Sequence, residues 1–155
     1  MRILVTGARG FIGKKLCEEL GKRGHGMKRF KGDVRNFEDC KKNVKGAQAI
    51  YHLAAVLEEE SKELLEVNSK GTENMIEAAS KEGVEQFVFA STVGVMGKFK
   101  GIGTEETQMN PITPYEQSKA EAEKIVWEAQ EMLPITILRP ALVLGANDNW
   151  KKIIN

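Results

Sequence analysis

The sequence predicts an α/β fold, a parallel sheet of five strands with helices on both faces, and three observations carry that prediction. Apolar runs of strand length alternate with helical periodicity from the first residues onward. Runs such as FVFA are apolar without interruption, which marks strands buried on both faces, as parallel strands are. The first strand also passes directly into a glycine-rich turn and a helix, TGARGFIG.

Each element follows in order. The opening strand ILVT leads to a helix from about Phe11 to Arg23, a short strand at MKRF and a short helix beginning near Asn36. Next come the strand AIYHLAA, a long helix from about Glu58 to Lys81, and the strand QFVFAST. A long loop, a helix from about Pro114 to Met132 and the strand ITILRP complete the pattern. Strands joined through helices run parallel with right-handed crossovers. No repeat, low-complexity tract or linker breaks the chain, so residues 1–155 read as one dinucleotide-binding domain. The glycine-rich VGVMGKFKGIGT follows a strand end and reads as an active-site loop.

Composition narrows the function. With 155 residues and 41% hydrophobic content the chain can bury one core. Its 23 Lys and Arg nearly balance 22 Asp and Glu, which argues against nucleic acid or an anionic membrane as partner and for a small-molecule substrate. Only Cys17 and Cys40 are present, and MRILVTG reads as a buried strand rather than a leader, so a reduced, cytoplasmic setting is expected. No apolar run approaches the ~20 residues that span a bilayer.

In the turn, Gly7 permits the sharp bend, Gly10 lets a pyrophosphate approach the backbone, and Gly13 lets the helix pack close to the strand. Unpaired N–H groups and the positive helix end then face the phosphates, so NAD or NADP is the expected cofactor. Tyr115 and Lys119 lie four apart at the start of a helix that Pro114 introduces, on one face. A tyrosine is a poor base at neutral pH, and the ammonium of Lys119 with the positive nicotinamide would favour its phenolate.

The spacing TGxxGxxG, with HLAA later, resembles the extended branch of the short-chain dehydrogenase/reductase superfamily, from Met1 to Gly145. That group holds sugar-nucleotide epimerases, dehydratases and reductases of dihydroflavonol or hydroxysteroid type, built on a Rossmann-like sheet. The resemblance implies a catalytic set of Thr92, Tyr115, Lys119 and Asn68. Thr92 rather than Ser91 is the counterpart of the family hydroxyl, since VMG downstream matches the family's VYG. Asn68, in EVNSKGTENM, would hold a water or backbone group near Tyr115 and Lys119, or else simply face solvent. The implied cofactor-binding set is Gly7, Arg9, Gly10, Phe11, Ile12, Gly13, Asp33, Val34, Leu53, Ala54, Ala55, Lys119 and Pro140. Asp33 and Val34 would contact adenine, and Ala54 and Ala55 leave room for ribose and phosphates. Pro140, after Arg139, would pass near the nicotinamide or merely end a strand. His52 has no catalytic role, and no metal is implied.

Two departures qualify the resemblance. Only GHGMKRFKGD separates the first helix from GDVRN, so one βα unit is missing, MKRF is a fused strand, and the expected strand order becomes 2-1-3-4-5. No acid stands ready for the ribose hydroxyls; Arg9, Arg29 or Lys31 could meet a 2′-phosphate or be solvated charges, which keeps NAD and NADP both open. After Gly145 only ANDNWKKIIN follows, whereas family members continue into a substrate lobe. Two functions therefore stand. One is an NAD(P)-dependent oxidoreductase or epimerase/dehydratase acting on a small molecule such as a nucleotide sugar. The other is a dinucleotide-binding module or subunit without turnover. Leu64, Leu65 and Met75 on one long helix, with Ile125 and Trp127 on the other, could form a homodimer seam or be scattered surface residues. Trp150 and Ile153 could cover the pocket mouth or an open edge.

Overall fold

Four of the five residues of strand β1 (Arg2–Thr6) are buried, so it must lie inside a sheet covered on both sides. A computed structural model describes residues 1–145 and places β1 in a five-stranded parallel sheet of order β2-β1-β3-β4-β5. The other strands are β2 (Gly26–Arg29), β3 (Ala49–His52), β4 (Gln86–Ala90) and β5 (Ile135–Leu138). Leu4 stands opposite Ile50, Ile50 opposite Phe87, and Phe87 opposite Ile135, which runs one apolar row across the sheet. The strand order is the one expected, and the fused strand MKRF pairs with β1 at the edge.

Helix α1 (Phe11–Lys22) covers one face, where Cys17 and Leu20 pack on Ile3, Val5 and Ala49. Helices α2 (Phe37–Val44), α3 (Gly71–Glu82) and α4 (Pro114–Glu128) cover the other, burying Cys40, Val44, Met75, Ile76 and Val126 against Leu4, Ile50, Phe87 and Phe89. Local signals set the helix starts. Asn36 caps α2 by accepting from the N–H groups of Glu38 and Asp39. Thr113 and Glu116 form a capping box on α4 beside Pro114. Cys17 and Cys40 are both free and buried.

Three expectations need correction. The long helix does not begin at Glu58: residues 58–63 form turns, helix begins at Leu64, and a π-helical turn (Glu66–Lys70) precedes α3. The backbone of Val56 is held by the Asn68 side chain instead, which folds the preceding segment back on the helix. The last helix stops at Glu128 rather than Met132: the ladder tightens there into i to i−3 bonds, Ala129 N–H to Val126 and Gln130 N–H to Trp127, each at 3.2 Å. Leu64 and Met75 are buried in this chain and leave the proposed dimer seam; of its members Leu65 and Trp127 are 59% and 48% exposed, with Ile125 half-buried. Trp150 and Ile153 lie outside the described residues. Among the described residues no helix is long and apolar enough to cross a membrane.

Candidate functional site

The C-terminal ends of β1, β3, β4 and β5 lie along one edge of the sheet, the position where open α/β sheets hold ligands. At the end of β1 the chain bends through Gly7, whose φ of 62° is left-handed. A Cβ on Gly7 would stand 2.6 Å from the Leu53 carbonyl carbon, and one on Gly13 would collide with the Gly7 carbonyl oxygen. Gly10 caps α1 without a side chain and donates its N–H to the Gly7 carbonyl at 2.9 Å. The first-turn N–H groups of Phe11 and Ile12 have no intrahelical acceptor. Both side chains are exposed, and the Phe11 ring lies beside Gly145.

This bend opens on a cavity of about 900 Å³ lined by Gly7, Arg9, Gly10, Lys14, Ala54 and the segment Arg29–Val34. Glycines at its wall and four cations around it (Arg9, Lys14, Arg29 and Lys31) suit an extended phosphate-bearing ligand. Asp33 lines this cavity, and Arg35 grips its carboxylate at 2.9 and 3.0 Å and holds it below the usual carboxylate range. Val34 is buried under Gly71, where a Cβ would lie 2.6 Å from a Val34 methyl. The N–H groups of Leu53 and Ala54 both donate to the Thr6 hydroxyl at 3.0 Å, which ends β3 before the expected LAA. Ala55 is half-buried just beyond.

That Thr6 hydroxyl accepts twice, so its own proton goes to His52 Nδ1 at 2.9 Å. Thr72 donates to the Asn68 carbonyl at 2.6 Å, so His52 Nε2 carries a proton toward Thr72 at 3.2 Å. Burial, with the nearby charge of Lys119, pushes His52 down to about 3. The imidazole is thus a neutral structural link.

Asn68 is fully buried on the π-helical turn and does not face solvent. Its Oδ1 accepts from Val56 N–H at 2.8 Å, and its Nδ2 donates to the Val56 carbonyl and to the Ser118 hydroxyl, each at 2.9 Å. Ser118 in turn donates to the Tyr115 carbonyl at 2.7 Å, so Asn68 reaches the turn of α4 that bears Tyr115 and Lys119. Lys119 is 2% exposed, with Nζ 4.1 Å from the centre of the Phe89 ring. Burial pushes Lys119 down to about 7, opposed by the charge of Glu123. Tyr115 is half-buried, and burial raises its pKa. Desolvation of the phenolate is the one cause of that rise. Thr92 accepts from Gly94 N–H at 3.2 Å as cap of the 3-10 turn Val93–Met96, leaving its hydroxyl proton to donate. Pro140 is half-buried and its carbonyl accepts from Val93 N–H at 3.0 Å, joining the end of β5 to the Thr92 turn.

Some features escaped the sequence reading. Lys14 lines the cavity. Ser91 donates to the fully buried Glu123 at 2.6 Å, and Arg139 grips the same carboxylate through Nε at 2.9 Å and a closer terminal nitrogen. Arg139 is therefore more than a strand-ending residue. An acid four residues after Lys119 on a buried helical stripe was the available signal. A second cavity of about 510 Å³ adjoins this pair, lined by Val93, Thr104, Trp127 and Leu138 among others. The loop between Gly97 and Asn110 starts and ends at one point: Gly97 is left-handed, a Cβ there would strike the Asn110 carbonyl, and Asn110 N–H donates to Val95 at 2.9 Å. No group of three or more His, Cys, Asp or Glu side chains among the described residues is placed to hold a metal.

Residues 3–154 match the family model of the NAD dependent epimerase/dehydratase family. An uncharacterized UDP-glucose epimerase of Bacillus subtilis, YtcB, is 33% identical over 94% of this chain and 57% of its own length. A 3-beta-hydroxysteroid dehydrogenase of Mycolicibacterium neoaurum is 33% identical over 95% of this chain and 49% of its own. The solved UDP-glucuronic acid 4-epimerase of Bacillus cereus, in complex with NAD, superposes with a TM-score of 0.85 at 27% identity, covering 94% of this chain and 58% of that one. The chain thus spans about half the length of the relatives it matches.

Proposed function

This chain belongs to the NAD dependent epimerase/dehydratase family, and from that premise we propose that it binds a nicotinamide dinucleotide and acts on a hydroxyl-bearing carbon of a nucleotide sugar. The observation that carries the reading is the cavity of about 900 Å³ at the C-terminal edge of the sheet, walled by Gly7 and Gly10 and ringed by Arg9, Lys14, Arg29 and Lys31. Such a wall, with cations around it, suits the diphosphate of a dinucleotide.

The residues fit the dinucleotide. The Gly7 to Gly13 bend and the first N–H groups of α1 would hold the diphosphate, with Phe11 and Ile12 supplying backbone donors. Val34, Leu53, Ala54 and Ala55 would border the adenosine and ribose, and Pro140 would border the nicotinamide. When bound, the nicotinamide supplies the hydride acceptor. The chain's own residues move the proton. Tyr115 takes it from the substrate hydroxyl as the adjacent C–H gives up hydride, and it returns the proton in the reverse step. Lys119 stabilises the phenolate that takes this proton and holds the ribose, Thr92 donates to the reacting oxygen, and Asn68 keeps this turn of α4 in place. Because burial alone raises Tyr115, its activation is assigned to the loaded site, where the cofactor's positive ring joins Lys119.

NADH fluorescence titration followed by absorbance assays with UDP-glucose and UDP-glucuronic acid tests this function. Tyr115→Phe should bind NADH as the parent does and lose turnover; equal turnover by both proteins would end the assignment. A second reading, dinucleotide binding without turnover, is favoured by the rise of Tyr115 on burial, which works against its use as a base. Binding with no turnover for any substrate would select it. The solved relatives hold NAD; NADP is the finer alternative, supported by the four cations around the cavity. Comparing NADH with NADPH, and repeating with Arg29→Ala, decides between them. A cytoplasmic setting accords with the two free thiols. A homodimer through the helical segment that begins at Leu64 and through α4 would rest on Leu65, Ile125 and Trp127, and sedimentation tests it.

A further inference from the structure

Glu123 sits where the function above gives it no task. It is fully buried, and a carboxylate taken out of water needs both a counter-charge and hydrogen bonds. It has both. Ser91, at the end of β4, donates to one oxygen at 2.6 Å, and Arg139, just past β5, holds both oxygens through Nε at 2.9 and 3.2 Å. A buried ion pair is weak evidence for stability, since apolar side chains of equal volume often do as well. What this pair provides that apolar packing does not is direction. Arg139 also donates to the Glu105 carbonyl at 3.0 Å, the Ser91 N–H donates to the Leu138 carbonyl at 2.7 Å, and Pro140 accepts from Val93. The strand end before Thr92, the strand end before Pro140 and the loop at Glu105 therefore converge on one side chain of α4.

We propose that Glu123 is a positioning residue of this site: clamped between Ser91 and Arg139, its carboxylate locks the ends of β4 and β5 and the loop at Glu105 to the helix that carries Tyr115 and Lys119. The inference rests on the roles given above to Thr92, Tyr115 and Lys119. Glu123 is one helical turn beyond Lys119, on the same stripe. The groups facing Lys119 are the Phe89 ring of β4, the neutral His52 of β3, and Tyr115 and Glu123 of its own helix. Among them Glu123 carries the charge that opposes desolvation of the ammonium. It thereby aligns the hydroxyl of Thr92 with α4 and favours the cation that would receive a ligand.

The test uses the full chain with Glu123→Gln, which keeps the shape and removes the charge, and Glu123→Asp, which keeps the charge. Lys119 is titrated by NMR of its side-chain nitrogen, and NADH binding is followed by fluorescence. In Glu123→Gln the Lys119 midpoint should fall by about one pH unit and NADH affinity should weaken about fivefold. Glu123→Asp should restore the midpoint, a rescue that loss of packing would not produce. A folded Glu123→Gln protein with the parental midpoint and parental NADH affinity overturns the proposal. Should Glu123→Gln fail to fold, Ser91→Ala removes one arm of the clamp and leaves the ion pair. NADH affinity about threefold weaker would then support the role, and parental affinity would overturn it. If the parent itself binds no NADH while its Lys119 midpoint moves in Glu123→Gln, the dinucleotide reading fails and the clamp stands.

Discussion

Replacing Gly10 with alanine should separate ligand binding from folding. Gly10 has φ −71° and ψ 175°, which any residue adopts, so the substitution brings no backbone strain. Its new methyl would meet one atom, the Gly7 carbonyl oxygen, at 3.2 Å, a contact relieved by a small shift. Stability should therefore change by less than about 1 kcal/mol. The methyl nevertheless stands in the cavity beside the free N–H groups of α1, where the diphosphate would rest. Loss of close approach should weaken NADH by about 1.5–3 kcal/mol, roughly ten- to a hundredfold. Gly7→Ala supplies the contrast. A left-handed alanine costs about 1–2 kcal/mol and forcing its Cβ against the Leu53 carbonyl about 1–3 more, so unfolding should come about 5–15 °C earlier. Urea unfolding and NADH fluorescence on the three proteins check both halves. Gly10→Ala binding NADH within about twofold of the parent would refute the approach of a ligand at this bend.

Lys119, displaced from 10.5 to about 7 in the fold, sets a second expectation. Between these values the unfolded chain holds the proton and the folded chain does not, so stability rises with pH across that window, by at most about 1.4 kcal/mol per unit. Below the lower value the penalty is complete. Lys119→Met should flatten the slope in urea titrations from pH 7 to 10, and an unchanged slope would contradict the burial. His52 acts at the acid end. With its pKa lowered from 6.5 to about 3, the unfolded chain alone takes the proton between those values, so stability should fall as pH drops through the window. His52→Gln should remove part of that acid sensitivity, as measured by unfolding at pH 4 and 6. Asn68→Ala should destabilise by about 2–4 kcal/mol, because it strands the Val56 backbone and the Ser118 hydroxyl, and thermal unfolding would show it.

Those features that depend on near neighbours in sequence were readable in advance. The Gly7, Gly10 and Gly13 bend is dictated by local sterics, Asn36 and Pro114 mark helix starts, and the missing βα unit implied the strand order. What escaped notice depends on distant partners. The start of the long helix shifts because Asn68 captures the backbone of Val56, twelve residues earlier. Leu64 and Met75 looked like spare apolar groups because a single stripe was allotted to the core, whereas the segment buries residues against both the sheet and its neighbouring helices. Glu123 resembled any helical acid until Ser91 and Arg139, 32 and 16 residues away, were seen to close on it.

The excursion between Gly97 and Asn110 begins and finishes at the same place, pinned by a carbonyl that tolerates no Cβ and by one N–H to Val95. Length added to such a closed detour carries a small entropic penalty, about 0.6 kcal/mol for each doubling. Insertions there leave the strands beneath undisturbed. Descendants of this design can vary what the detour touches while inheriting the sheet unchanged, so chemistry and selectivity can evolve on separate schedules.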